Sequence, residues 1–303
     1  MKAIIAGGRG FLGTALSAAL KNDRHDVVVL SRGSVGIAAP GVTYAQWTPD
    51  GGTGVWASAL AGADVVINLA GESLAARWSS ARKQRVEDSR VLATRSLVAA
   101  MAASSSPPPV FVSASAVGYY GPRGDDVITE ASPAGADFLS RVCIRWEAEA
   151  ERAIRSNTRV VALRTGLVLA RSGGALPPTL LPFRLGIGGR LGSGRQYWPW
   201  VHIDDWVNLV RWTIDTPNAS GPFNVTAPTP VSNAQFARSL GRAMHRPALV
   251  PTPALALRLL LGEMAEGLLL SGQRAVPAKA LSQGFQFRYP ALDEALAALF
   301  AAR

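Results

Sequence analysis

Cysteine occurs once in 303 residues, at Cys143. No internal disulfide can form, and a cysteine-rich metal site is excluded. The three histidines, His25, His202 and His245, are far apart in sequence, so no metal is expected. Lysine is almost as scarce. Lys2, Lys21, Lys83 and Lys279 are the only ones, so the net charge of +10 rests on arginine. That charge is either a solvated surface or one that attracts phosphorylated ligands or nucleic acid. No basic run and no interleaving of basic with aromatic residues supports nucleic acid. Charged residues make up 17% of the chain against 48% apolar, so no segment reads as disordered. A long hydrophobic run is missing too. The stretch Ala254 to Leu270 is broken by Arg258, Gly262, Glu263, Glu266 and Gly267, whereas a membrane span needs about 20 mostly apolar residues. No signal-peptide pattern precedes the first apolar run. A cytoplasmic chain with no membrane partner is expected.

Strand and helix signals alternate. KAIIA (2–6), VVVL (27–30), DVVINLAG (64–71), VFVSAS (110–115) and RVVALRTGLVLA (159–170) are apolar runs typical of buried parallel strands. Between them, 11–20, the serine-capped 79–101 and 137–155 have helical character. The alternation predicts an α/β protein with a doubly wound parallel sheet over 1–170, to which 198–226 returns. Residues 171–197 and 227–303 are expected to form a smaller C-terminal substrate lobe, with 250–303 as a small domain. Its helices are predicted at 254–270 and 291–302. Asp204 or Asp205 is expected to cap the helix after WPWVHIDD, and Ser232 the helix 233–243.

The strongest motif is AGGRGFLG (6–13), which leaves the first strand and opens a helix. Its glycines, Gly7, Gly10 and Gly13, let a pyrophosphate reach backbone amides at a helix N-terminus. Gly7, Gly8, Arg9, Gly10, Phe11, Leu12 and Gly13 are therefore candidate cofactor residues. Gly13 is expected to seat the helix close to the sheet. The second strand ends Leu30-Ser31-Arg32, with no acidic residue to hold a ribose 2′-hydroxyl. Arg32 can pair with a 2′-phosphate and Ser31 can donate to it, which predicts NADP(H). Leu69, Ala70, Gly71 and Glu72, in NLAGE (68–72), let the backbone approach the cofactor. Arg90, on the next helix, either reaches the cofactor or is a solvated arginine.

These motifs, with VSASAVGYYG (112–121), LRTGLVL (163–169) and WVHIDD (200–205), occur in the order of the extended short-chain dehydrogenases/reductases, which the chain resembles over most of its length. GEMAEGLLLSGQRAVPAKAL (262–281) and GFQFRYPALDEAL (284–296) resemble a narrower branch, the epimerase-family proteins that end in a small domain of unknown function. The resemblance implies a Rossmann fold, NADP(H) and an ill-defined activity on an unknown small molecule. The parent group uses Ser, Tyr and Lys, with Tyr and Lys one turn apart on a helix. Here that helix reads FLSRVCIRWE (138–147), and the matching positions are Leu139 and Cys143. No tyrosine has a lysine four residues on. Any proton donor is thus expected outside this helix. Ser115 matches the group's serine, with Ser113 nearby; either hydroxyl can bond a substrate carbonyl, or Ser115 is only a strand-end polar residue. Tyr119 with Arg123 is the nearest substitute for the missing pair. Tyr119 and Tyr120 either wall the nicotinamide pocket or pack. Trp198 and Trp200 either line a substrate cleft or pack. His202 reads as structural, and Asp125, Asp126 and Glu130 as a solvated acidic loop. Three functional readings stay open: a reductase or epimerase-like enzyme with a non-standard acid/base (Ser115, Tyr119 or a bound water), a catalytically silent NADP(H)-binding sensor, or nucleic-acid binding through the basic surface. Many members of the parent group dimerise through helices equivalent to 79–101 and 137–155. Arg85, Glu87, Arg141 and Arg145 put charge there, so monomer and homodimer both remain.

Overall fold

The computed structural model describes residues 1–33 and 41–301. Its core is a seven-stranded parallel sheet. The strands are β1 (Lys2–Ala6), β2 (Asp26–Ser31), β3 (Val42–Gln46), β4 (Val65–Asn68), β5 (Val110–Ala116), β6 (Arg159–Thr165) and β7 (Gly221–Val225). They lie side by side in the order β3-β2-β1-β4-β5-β6-β7. All of β4 is buried, as is β1 from Ala3 to Ala6, which explains why their sequences run apolar instead of alternating. Helices α1 (Phe11–Asn22), α2 (Ser80–Ala102) and α3 (Phe138–Glu151) connect the strands. The strand order reverses between β1 and β4, and a crevice opens beyond their carboxyl ends. That is where doubly wound sheets bind ligands.

Sequence reading missed β3. Its residues VTYAQ are mostly partly exposed, as befits an edge strand without a buried apolar run. The predicted strand 159–170 is two. β6 stays in the main sheet, while Leu167–Ala170 joins a small sheet with Trp200–His202. Gly166 marks the break, where a Cβ would stand 2.4 Å from the Pro199 carbonyl oxygen. The predicted strand 64–71 stops at Asn68. Asn68 is fully buried, accepts from the Ala70 N–H and donates to Thr94, which fixes the turn that follows.

The longer of the remaining helices are α4 (Leu176–Arg184), α5 (Ile203–Asp215), α6 (Asn233–Met244), α7 (Ala254–Leu261) and α8 (Leu292–Phe300). Phe183, Trp198, Trp200, Phe236, Leu240 and Leu296 form a second core among them. Ser232 caps α6 in a reciprocal capping box with Gln235. The cap of α5 is His202, not Asp204 or Asp205. His202 Nδ1 accepts the Asp204 N–H at 3.1 Å, which leaves the ring proton on Nε2. Burial lowers the pKa of this imidazole, opposed by Asp204 and Asp205. Asp205 instead accepts the N–H groups of Arg288 and Tyr289, tying the tail to the first turn of α5. The expected helix 254–270 ends at Gly262, whose φ of 63° stops it, and continues as shorter turns. The last helix runs 292–300, and residue 302 of its predicted span lies outside the described residues. Ala280 and Phe285, from the tail, pack into the core of the main sheet. Between α2 and α3, Arg145 pairs with Glu87 and Arg95 with Glu149, so part of the charge expected there is neutralised within the chain.

Candidate active site

The glycine turn is built by close backbone approaches. Gly7 has φ +78°, and a Cβ there would lie 2.7 Å from the Leu69 carbonyl carbon and oxygen. The ends of β1 and β4 therefore touch only because residue 7 has no side chain. At Gly13 a Cβ would stand 2.4 Å from Gly7 O and 2.5 Å from Gly8 Cα. Gly13 thus closes the turn upon itself. Gly8, on the turn itself, packs against β2, where its Cβ would meet Val29 at 2.6 Å. Gly10 is the N-cap of α1 and supplies no side-chain hydrogen bond, so the first-turn amides are not covered by a cap. Phe11 turns its ring onto Gly173 and Gly174, while Leu12 lines the cleft beyond.

Two cavities meet at this turn. The first, about 400 Å³, is lined by Gly7, Arg9, Gly10, Ser31, Arg32, Leu69, Ala70, Gly71 and Glu72, and by Trp47 and Pro49, which sequence reading missed. Arg9 Nη1 lies 3.5 Å from Ser31 Oγ, at the end of β2. Arg32 follows directly and is exposed. Two guanidinium groups and a hydroxyl so gathered suit a phosphate monoester. Trp47 is buried against Trp56, edge to face at 5.4 Å. Glu72 pairs with Arg82 at 2.5 Å, and its N–H donates to Ser89.

The second cavity, about 370 Å³, shares Leu69, Ala70 and Gly71 with the first. The tail covers it through Gly267, Leu268, Ser271, Gly272 and Gln273. Leu139 and Cys143 both line it, so the helix face that would carry a tyrosine and a lysine does look into the cleft. Burial, and then Glu147, push the Cys143 thiol up to about 12, so it stays protonated. Arg90 lines the cavity with its guanidinium over the Trp146 ring and Nη1 on the carbonyls of Glu72 and Val86. Burial lowers its pKa, opposed by Cys143 and Glu72. Trp146 Nε1 and Trp198 Nε1, on two other lining residues, are buried without a protein partner. Trp200 is core.

Ser115 also lines this cavity, and behind it lies a buried charged cluster. Its Oγ donates to Glu147 Oε1 at 2.5 Å. Glu147 is held by Arg164 through Nε at 2.9 Å and Nη2 at 2.8 Å. Burial alone would lower the Arg164 pKa, but the hydrogen bonds and charge of Glu147 outweigh it and raise the value. Arg164 Nη1 also donates to Tyr120 Oη at 2.9 Å, and Tyr120 donates to Asn224 Oδ1 at 2.7 Å. Burial pushes the Tyr120 phenol up to about 12 against the pull of Arg164. Glu130 is not a solvated loop residue: its carboxylate accepts the N–H groups of Asn224 and Lys279. Tyr119 lies flat against Arg164, 3.5 Å from ring centroid to Cζ, and neither it nor Tyr120 lines the cavity. Ser113 is buried and points its hydroxyl at the Ala114 carbonyl. Sequence reading missed Glu147 and Arg164 as a pair. The signal for Arg164 was a lone charge inside the apolar run RVVALRTGLVLA, whereas its partner, on a separate helix, had none.

Residues 3–226 match the NAD dependent epimerase/dehydratase family, and residues 252–299 match a domain of unknown function, DUF1731. An epimerase family protein of Mycobacterium bovis, Mb2239, is 42% identical over 293 residues, 96% of this chain and 95% of its own length. The crystal structure of the human epimerase family protein SDR39U1 (isoform 2) with NADPH is 34% identical, with a TM-score of 0.86 and 99% of both chains covered. That of the nucleoside-diphosphate sugar epimerase from Corynebacterium glutamicum is 35% identical at a TM-score of 0.79, covering 99% of this chain and 58% of that one. With its Rossmann sheet, glycine turn and tail-covered cleft, this chain belongs to the NAD dependent epimerase/dehydratase family and ends in a DUF1731 domain.

Proposed function

We propose that the chain is an NADP(H)-dependent oxidoreductase or epimerase-like enzyme acting on a small molecule in the cavity beside Ser115. The observation that carries the cofactor choice is the gathering of Arg9, Ser31 and Arg32 at the end of β2, where no carboxylate stands. The NADPH in the human relative's structure supports the same choice. The cradle fits a dinucleotide: Gly7 and Gly13 are places where any Cβ would fill the turn. Gly7 to Gly13 would hold the pyrophosphate, Arg9, Ser31 and Arg32 the 2′-phosphate, and Leu69 to Glu72 the backbone between the cavities. Bound there, NADP(H) supplies a hydride donor or acceptor.

The proton belongs to Ser115. Its hydroxyl hydrogen is committed to Glu147, so Oγ presents lone pairs to the cleft. A ligand hydroxyl can donate to that Oγ. As it loses its proton to Ser115, Ser115 passes its own to Glu147 Oε1, and the reverse returns it. This puts the proton reservoir on the helix that lacks Tyr and Lys, one turn beyond Cys143. Tyr119, stacked on Arg164, positions that cluster and does not touch the ligand. A silent NADP(H) sensor is the second reading. It is favoured by the neutral thiol of Cys143 and the blocked phenol of Tyr120. NADPH oxidation measured against a broad carbonyl panel separates them. The enzyme reading predicts turnover with at least one class of carbonyl, lowered about a hundredfold or more in Ser115→Ala. Tight NADPH binding with no turnover anywhere would select the sensor.

A further inference from the structure

A second groove lies on the small lobe and shares no lining residue with the two cofactor cavities. It is open, about 810 Å³, and lined by Arg190, Arg238, Arg242, His245 and Arg246 without any Asp or Glu. The sequence builds it simply. Phe236 and Leu240 bury one face of α6, which leaves Arg238 and Arg242, one turn apart, exposed on the other. Gly241 then lets the chain fold back on the helix, since a Cβ there would be 2.8 Å from Arg246 O. Arg242 pairs with Asp293, but Arg238 and Arg246 form no ion pair among the described residues.

Beside these charges the surface is apolar. Eight of the thirteen exposed large apolar side chains among the described residues fall in two segments, 181–187 and 249–260. The segments are adjacent in space. Val250 N donates to Gly188 O and Thr252 N to Arg190 O, and Gly189 has no room for a Cβ against Val250. Leu249, on the lip of the groove, is 83% exposed. On α7 next to it, Leu255, Leu259 and Leu260 are each about two-thirds exposed or more (67%, 69% and 72%). Water-exposed leucines in one strip are costly unless something covers them.

We infer that this face adsorbs to an anionic membrane surface, with the arginines on lipid phosphates and the leucines of 249–260 in the interfacial layer. Charge complementarity selects the occupant. A second copy of the chain would bring arginine against arginine. A nucleic acid would want stacking aromatics, and neither the groove lining nor the exposed strip has one. Lying on a membrane needs only an apolar strip flanked by cations. It is compatible with the finding that no helix among the described residues is long and apolar enough to cross one. The sequence led to the expectation of no membrane partner, and this inference departs from it.

Cosedimentation of the full chain with vesicles tests this, using phosphatidylcholine alone or with roughly a third phosphatidylglycerol. The expected result is pelleting only with the anionic vesicles. Arg238→Gln with Arg246→Gln should lower the partition coefficient about 25-fold, roughly fivefold per arginine. Leu249→Asp with Leu255→Asp should lower it at least about tenfold. Arg155→Gln, a distant exposed arginine, should change it less than about twofold. Circular dichroism and melting temperature verify that each variant folds. The inference is overturned if anionic vesicles pellet no more protein than neutral ones, or if the groove variants bind as well as wild type. It is also overturned if Leu249→Asp dissolves a dimer of a protein that ignores vesicles.

Discussion

Glu147→Ala is expected to cost about 3–5 kcal/mol of stability, because it leaves Arg164 as an uncompensated charge in the protein interior. Both side chains are more than nine-tenths buried, and Arg164 gives two of its hydrogen bonds to this carboxylate. Its other partners, Tyr120 Oη and the Glu130 carbonyl, carry no charge that could replace it. The pair itself need not be worth that much, since two buried ions also lose their hydration. Glu147→Met combined with Arg164→Leu should therefore recover most of the loss. Urea unfolding of the single and double variants checks both halves. A double variant as unstable as the single one would mean that the rest of the cluster, from Ser115 to Asn224, depends on the ions and not merely on filled space. Activity should part from stability here. The double variant would be folded but without a proton acceptor for Ser115, and so inactive under the proposed chemistry.

Gly13→Val is expected to weaken NADP(H) binding by about ten- to a hundredfold, while Gly10→Ala should cost less than about threefold. The motif treats the glycines alike, but the backbone does not. At residue 13 a side chain would overlap the turn's own main chain at 2.4 and 2.5 Å, and main chain cannot swing aside as a flexible side chain can. At residue 10 the nearest atom is 3.2 Å away and φ is −77°, a value any residue adopts. Overpacking of the first kind costs about 1–3 kcal/mol. In a turn whose shape is the binding site, that cost appears directly in the dissociation constant. NADPH fluorescence titration of both variants, with melting temperatures to confirm folding, measures the difference.

The parallel sheet was legible because buried strands and amphipathic helices carry distinct periods, and the cofactor turn because Gly7, Gly10 and Gly13 sit where a strand becomes a helix. The place of Arg32, directly after β2 and on the cavity lining, was legible for a related reason. The edge strand β3 was not, since a half-exposed VTYAQ has no buried run to betray it. Nor was the packing of Gly8, which depends on where Val29 lies across the turn. The most consequential gap was Glu147. On FLSRVCIRWE it looked like an ordinary helix carboxylate. Only the folding of α3 across β5 and β6 brings it between Ser115, 32 residues before it in sequence, and Arg164, 17 residues after it. The absence of Tyr and Lys was thus read correctly from the letters, while the group that stands in the same helix one turn further on was not.

Selection of NADP(H) by Arg9, Ser31 and Arg32, as proposed, is tested most directly by parallel titrations with NADPH and NADH. Each charged hydrogen bond to the 2′-phosphate is worth about 1.5–3 kcal/mol. Wild type should therefore bind NADPH at least about tenfold more tightly than NADH, and Arg9→Ala with Arg32→Ala should erase that preference while leaving NADH affinity unchanged. Equal affinity of the wild-type chain for the two cofactors, or a double variant that keeps its NADPH preference, would contradict it.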